Sequence, residues 1–149
     1  MERYEAINDL IEINNDRVEG YEKASRQADD EDLRSLFNNM ALQSRRFVGE
    51  LRERVNAEGG TPAEGTTAKG KIYRTWMDVK ATFTGKDHNR KSVLSACEFG
   101  EDAAQRAYES VLKEDELQGD LRLTVENQKK SLRESHDKIK NLRDSAQPV

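Results

Sequence analysis

Over four long stretches of this chain, apolar residues recur every three or four positions, the spacing that places them on one face of an α-helix. The spacing predicts long helices over about residues 2–28, 31–58, 87–113 and 117–145. Helix-ending signals separate them: an acidic run, a Gly-Gly pair followed by a proline, and an interruption before the last helix. Because no stretch alternates polar and apolar residues for long, the sequence predicts an all-α fold without strands.

The lengths of the connections predict how these helices are arranged. Short connections join the first helix to the second and the third to the fourth, so each pair should form an antiparallel hairpin. The connection between the hairpins is long enough to run the length of a helix, and a shorter amphipathic stretch within it predicts a helix over about residues 70–84. We therefore expect one domain over residues 1–149, a four-helix bundle of two antiparallel hairpins joined by a long crossover.

An internal repeat relates the two hairpins. Asn14 and Tyr21 lie seven residues apart in the first helix, and Glu101 and Tyr108 have the same spacing in the third. The repeat predicts that the hairpins are copies related by a pseudo-two-fold axis.

Composition excludes several classes of protein. Charged residues make up 36% of the chain and hydrophobic residues 34%, which suits long helices with solvated outer faces. No run approaches the roughly 20 apolar residues of a membrane span, and the charged start is unlike a signal peptide, so we expect a cytoplasmic protein that binds no membrane. The single cysteine, Cys97, excludes an internal disulfide, and its position on an apolar stripe indicates a buried packing residue. A net charge of −4 argues against nucleic-acid binding.

The crossover is basic although the chain is acidic. Residues 69–91 carry seven basic and two acidic side chains. This segment could bind nucleic acid or an anionic surface, but the dilute charge favours docking on acidic helices. The apolar residues of this segment need a surface against which they can be buried, which predicts a homodimer through the crossover. Phe99 is a candidate contact for the crossover helix. These apolar residues are Ile72, Trp76, Val79 and Phe83.

Four segments carry a resemblance to known proteins: DLIEINNDRVEGYEKA (9–24), MALQSRRFVGEL (40–51), WMDVKATFTGKD (76–87) and ACEFGEDAAQRAY (96–108). Together they resemble a bacterial family of small four-helix proteins, described only as a domain of unknown function, in the ferritin-like superfamily. The resemblance implies a ferritin-like bundle and brings no activity with it.

The superfamily implies a metal question. Ferritin-like di-iron proteins use a Glu on each of two helices and a Glu-x-x-His on each of the other two. Glu101 and His136 fit this pattern, but Asn14 stands where a Glu is expected and Arg133 stands three residues before His136. The second helix reads QSRRF over 43–47, without the Glu-x-x-His. The resemblance therefore implies that the chain is not a competent di-iron oxidase.

Glu101 interrupts an apolar stripe, and a buried carboxylate needs a partner. One hypothesis is a reduced metal site of Glu101 and His136, taking iron, manganese or zinc. The other, which the missing ligands favour, is a structural polar layer without a cofactor that fixes helix register. Its candidate members, besides Glu101, are Asn14, Ser44, Gln128, Tyr21 and His136.

These observations favour a non-catalytic structural or interaction role. A role in stress is suggested by the resemblance alone. The alternative is a metal-binding protein or metalloenzyme with the reduced site at Glu101 and His136.

Overall fold

The computed structural model describes residues 3–84, 89–114 and 117–146, and five helices account for most of them. The helices are α1 (Arg3–Gln27), α2 (Glu31–Ala57), α3 (Gly70–Thr84), α4 (Arg90–Leu112) and α5 (Gly119–Ser145). No strand occurs within the described ranges, which confirms the all-α prediction. The start predicted for the third long helix, near residue 87, lies outside the described residues.

The residues at the helix ends explain where the helices begin and end. Asp30 precedes α2 in an extended conformation, and the first turn of α2 carries two acidic side chains that favour the positive end of the helix dipole. α2 ends before Gly59, whose φ of 82° is a left-handed conformation that glycine adopts without strain. Asn89 caps α4, because its side-chain oxygen accepts a 2.9 Å hydrogen bond from the backbone N–H of Ser92.

Side-chain contacts show that α1 and α2 form one antiparallel hairpin and that α4 and α5 form another. In each hairpin, residues near the end of the first helix contact residues near the start of the second. The pairs are Ser25 with Arg34 and Arg17 with Ser44 in the first hairpin, and Tyr108 with Gln128 and Glu98 with Arg143 in the second.

The hairpins pack with α1 against α4 and α2 against α5. These neighbours are also antiparallel, so α2 and α4 run in the same direction. The contacts that fix this are Asn14 with Tyr108 and Arg17 with Glu101 on one side, and Phe47 with Gln128 and Gln43 with Ser135 on the other.

Residues 58–69, which we call the strap, follow α1 from its first turns upward without helical structure. The side chain of Asn8 bonds both the carbonyl of Thr61 and the N–H of Ala63, at 3.0 and 2.8 Å. Asn15 donates to the carbonyl of Gly65 at 2.9 Å. The side chains of α1 therefore satisfy backbone groups of the strap.

After the strap, α3 packs against both α1 and α4. Its Trp76 is fully buried between Gly20 of α1 and Gly100 of α4. A Cβ added at Gly20 would lie 2.6 Å from the indole, and one added at Gly100 would lie 2.8 Å from it. The two glycines therefore make the space into which the indole fits.

The burial of α3 changes one expectation. Trp76, Val79 and Phe83 are all buried within their own chain, so they do not need a second chain to cover them. Phe99, the candidate contact for α3, is 67% exposed, so α3 does not bury it. The exposed position follows from the glycine beside it, because Trp76 packs on Gly100 and the side chain of Phe99 leaves the helix in another direction.

Ion pairs show how the basic crossover meets acidic helices. Lys80 of α3 lies 3.0 Å from Glu19 of α1. Arg90, at the start of α4, pairs with Asp30 and Asp32 at 2.9 and 2.8 Å. These contacts agree with docking of the crossover on its own chain.

Two clusters of buried apolar side chains form the core. One surrounds the first half of α1 and the other its second half. A layer of buried polar side chains lies between them, at Asn14 and Arg17. The large residues of the first cluster include Ile7, Leu10, Phe47, Leu51 and Leu132, and those of the second include Tyr21, Phe37, Trp76, Phe83 and Leu94.

Candidate functional site

The centre of the molecule holds an ion pair between Arg17 of α1 and Glu101 of α4. Arg17 is 0% exposed and Glu101 is 1% exposed. The Nε of Arg17 donates to Oε2 of Glu101 at 2.7 Å, and Nη2 donates to Oε1 at 2.8 Å. This two-bond geometry is the strongest form of such a pair and occupies both carboxylate oxygens.

The remaining guanidinium nitrogen, Nη1 of Arg17, is held by α2. It donates to Ser44 Oγ and Gln43 Oε1, both at 2.8 Å, and to the carbonyl of Met40 at 3.3 Å. Acceptors from two neighbouring helices thus surround the buried cation, as a charge removed from water requires.

Hydrogen bonds extend from this pair to the rest of the layer. Ser44 donates to Asn14 at 2.9 Å, and Asn14 donates to the hydroxyl of Tyr108 at 2.8 Å. Tyr108 donates to Gln128 of α5 at 2.6 Å. Gln128 in turn donates to the carbonyl of Phe47 and the carboxylate of Glu50. All four long helices therefore contribute side chains to one hydrogen-bonded network.

Tyr21 stands beside the network. Its ring centroid lies 5.1 Å from the guanidinium carbon of Arg17, so the two form a cation–π contact. Burial and the neighbouring Glu101 carboxylate raise the pKa of Tyr21 well above its ordinary value. Tyr21 of the first hairpin therefore lies near Glu101 of the second, and Tyr108 of the second hairpin bonds Asn14 of the first.

The guanidinium of Arg17 stays charged although it is buried. Burial alone would lower the pKa of Arg17, but the Glu101 carboxylate outweighs it and holds that pKa above the ordinary value. Burial, followed by the charge of Glu101, raises the pKa of the Cys97 thiol strongly. Cys97 is therefore a neutral packing residue and not a nucleophile.

His136 lies outside this network. Its Nε2 is 2.7 Å from Asp102 of α4, and its Nδ1 is 3.1 Å from Asp137 on its own helix. The structure therefore places His136 next to Asp102, while Glu101 points to Arg17.

The residues present do not fit a di-iron centre. Arg17 donates to both oxygens of Glu101, so this carboxylate already has a cationic partner in the position where a di-iron centre would need a ligand open to the metal. Among the residues that the structure describes, no three His, Cys, Asp or Glu side chains are grouped closely enough to hold a metal ion.

Sequence reasoning grouped Glu101 with Asn14, Ser44 and Gln128, and the structure brings all four into one network. It missed Arg17. The available signal was the spacing, because Arg17 lies three residues after Asn14 and four before Tyr21, on the edge of the apolar stripe.

No described helix is long and apolar enough to cross a membrane. Among curated proteins, none matches the sequence of this chain. Residues 2–114, which include α1 to α4, match the domain of unknown function DUF2383. Since that match covers more than half of the sequence, the chain belongs to the DUF2383 family.

Proposed function

We propose that this DUF2383 chain is a ferritin-like four-helix bundle with a non-catalytic structural or interaction role. The observation that carries the proposal is the buried pair of Arg17 and Glu101, in which a guanidinium takes the place of a metal cation. A catalytic core needs groups left open toward a substrate or an ion. In this core, Arg17 and Glu101 pair with each other, and Ser44 is hydrogen-bonded to both Arg17 and Asn14.

One observation supports the alternative of a metal-binding role. Asp102 and His136 form a carboxylate–imidazole pair at the partly exposed edge between α4 and α5. Such a pair can contribute two ligands to zinc, iron or manganese. A metal bound by both His136 and Glu101 requires Glu101 to leave Arg17.

Metal analysis of untagged protein, purified without chelators, distinguishes these roles. We expect substoichiometric iron, manganese and zinc in the wild type, in Glu101→Gln and in His136→Ala. One metal ion per chain in the wild type, lost in Glu101→Gln, would contradict the structural role. Loss in His136→Ala with retention in Glu101→Gln would instead place a metal at the Asp102 edge.

The homodimer predicted from the crossover has to use other residues than the buried face of α3. Met77 of α3 and Phe99 of α4 are large apolar side chains that stay exposed, at 49% and 67%. Light scattering at micromolar concentration tests the dimer. A mass of two chains that falls to one in Phe99→Ser supports it, and a mass of one chain in the wild type contradicts it.

A further inference from the structure

No residue of the strap is buried, since each of residues 58–69 is exposed or half-buried. The strap is therefore held mainly by hydrogen bonds from side chains of α1 and α2, and it adds little apolar surface to the core. Segments of this kind open locally at a lower free energy than the packed helices around them. We therefore expect the strap to open while the long helices stay folded.

The upper end of the strap covers a carboxylate of α1. Asp16 is 2% exposed, and its Oδ2 accepts hydrogen bonds from the backbone N–H and from the hydroxyl of Thr67. Thr67 therefore shields Asp16 from water and also supplies hydrogen bonds to it. When the strap opens, water hydrates this carboxylate instead.

The charge of Asp16 opposes closure of the strap. Burial raises the pKa of this carboxyl group, although the hydrogen bonds from Thr67 and the charge of Lys80 on α3 act in the opposite direction. The other charged groups that face Asp16 are Glu12 and Glu19 on its own helix. The closed state therefore holds a proton on Asp16 more tightly than the open state does. Closure becomes more favourable as the pH falls through this window, and less favourable as the pH rises.

The same end of the strap forms one wall of a cavity. Residues 67–69 line a space of about 530 Å³ between α1 and α4, next to the start of α3. Its other walls include Ile13 of α1 and Val111 of α4. Movement of Thr67 away from Asp16 therefore widens this cavity.

We propose that Asp16 and Thr67 form a pH-sensitive latch. The latch holds the upper end of the strap closed at mildly acidic pH and loosens as the pH rises, which opens the cavity between α1 and α4. The proposal goes beyond the structural role argued for the core and does not depend on it, because the latch lies outside the network of Arg17 and Glu101.

Amide hydrogen exchange of the full chain, followed by NMR between about pH 5 and 7.5, tests the latch. After correction for the intrinsic exchange rate, the protection of the Thr67 amide should be higher by about twofold or more at the acidic end. The amide of Ala63 is the internal control. It is bonded to the uncharged side chain of Asn8, so its protection should not depend on pH in this way.

Two variants separate the charge from the hydrogen bonds. Asp16→Asn keeps an acceptor for Thr67 and removes the charge, so the Thr67 amide should have equal protection at both pH values. Thr67→Val removes the hydroxyl donor, so the amide of residue 67 should lose protection at neutral pH and the difference between the two pH values should grow. Glu53→Gln on the exposed face of α2 is the matched control, since it removes a distant negative charge and should keep the wild-type dependence.

Three results would overturn the proposal. Protection of the wild-type Thr67 amide that is equal at both pH values, or higher at neutral pH, would show that the strap does not respond to Asp16. An unchanged pH dependence in Asp16→Asn would assign the response to another group. A response at Ala63 as large as that at Thr67 would show that the whole chain responds and not the latch. Circular dichroism checks that the variants are folded, and the wild-type profile together with Thr67→Val decides the question if Asp16→Asn is not.

Discussion

A guanidinium and a carboxylate buried together each lose their hydration, and the protein recovers that cost only while both are paired. In this core the pair also has the support of α2, since Ser44 and Gln43 accept from Arg17. The stability effect of either residue is therefore dominated by what its removal leaves unpaired.

This reasoning predicts strong non-additivity. Arg17→Met or Glu101→Leu alone should lower the free energy of unfolding by about 3–5 kcal/mol, because each leaves one buried charge without a partner. The double variant should recover most of that loss, since apolar side chains then meet across the same space. Urea unfolding of all four proteins measures the coupling. A double variant as unstable as the sum of the single ones would show that the pair is not coupled.

The glycines around Trp76 give a second prediction. Gly20→Ala or Gly100→Ala should destabilise the protein by about 1–3 kcal/mol, because the added methyl group overlaps the indole. Gly49→Ala on α2 is the control, since a Cβ there meets nothing within 4 Å. That control should stabilise by up to about 1 kcal/mol through helix propensity. Thermal unfolding compares the three variants, and equal gains in all of them would mean that α3 moves aside at little cost.

At this scale the sequence was informative for Glu101 and uninformative for Arg17. A short carboxylate inside an apolar stripe has no route to water, so its burial could be predicted. An arginine at the edge of a stripe usually extends its charged group to solvent on a long side chain. The spacing alone therefore did not predict that Arg17 is buried. The space between Gly20 and Gly100 depends on three elements at once, which no local pattern encodes.

Among the elements, the strap is unusual because side chains of the helices, and not a helix or sheet, provide hydrogen-bond partners for its backbone. Asn8 bonds the strap at Thr61 and Ala63, and Arg52 of α2 donates to the carbonyl of Ala63. An irregular segment can lie flat on a helix only when its backbone groups are satisfied in this way. The sequence predicted the length of this connection but not its path, since Asn8 and Asn15 resemble ordinary solvated positions of α1.

Asn8→Ala should therefore loosen the strap before it unfolds the helices. The variant loses two hydrogen bonds, each worth about 1 kcal/mol, and the amide of Ala63 should exchange with solvent faster. Hydrogen exchange read by NMR or mass spectrometry measures this. Asn15→Ala loses only the bond to Gly65 and should have the smaller effect. Unchanged exchange at Ala63 in Asn8→Ala would show that the strap is held by other contacts.

At the scale of the whole molecule, the carboxylates along α1 predict how stability depends on pH. Burial is the first cause that raises the pKa values of Asp9, Glu12 and Asp16. In the window between the ordinary and the raised values, the folded state binds more protons than the unfolded state, so stability increases as the pH falls. Unfolding should need more urea at about pH 5 than at neutral pH.

Asp16→Asn tests the origin of this dependence, because the amide oxygen can still accept from Thr67 while the charge is absent. We expect a smaller difference between the two pH values in this variant. Glu19 and Lys80 face the same carboxyl group, and both remain in the variant as part of the background. Stability that falls steadily from neutral pH downward would contradict the prediction.

The folded unit is larger than the part that matches the family. The match ends at residue 114, just after α4, yet α5 supplies Gln128 to the polar network and Ile139 to the second apolar cluster. The spacing of apolar residues alone predicted this helix, because periodicity reports a buried face whether or not a family includes it.

The placement of Arg17 and Glu101 on different hairpins also controls which halves of the fold can pair. Two α1–α2 hairpins facing each other would bring two buried cations together, and two α4–α5 hairpins would bring two buried anions together. Only the unlike combination neutralises the interior. If two molecules exchange hairpins, the exchange must therefore be reciprocal, so that each resulting core keeps one guanidinium and one carboxylate.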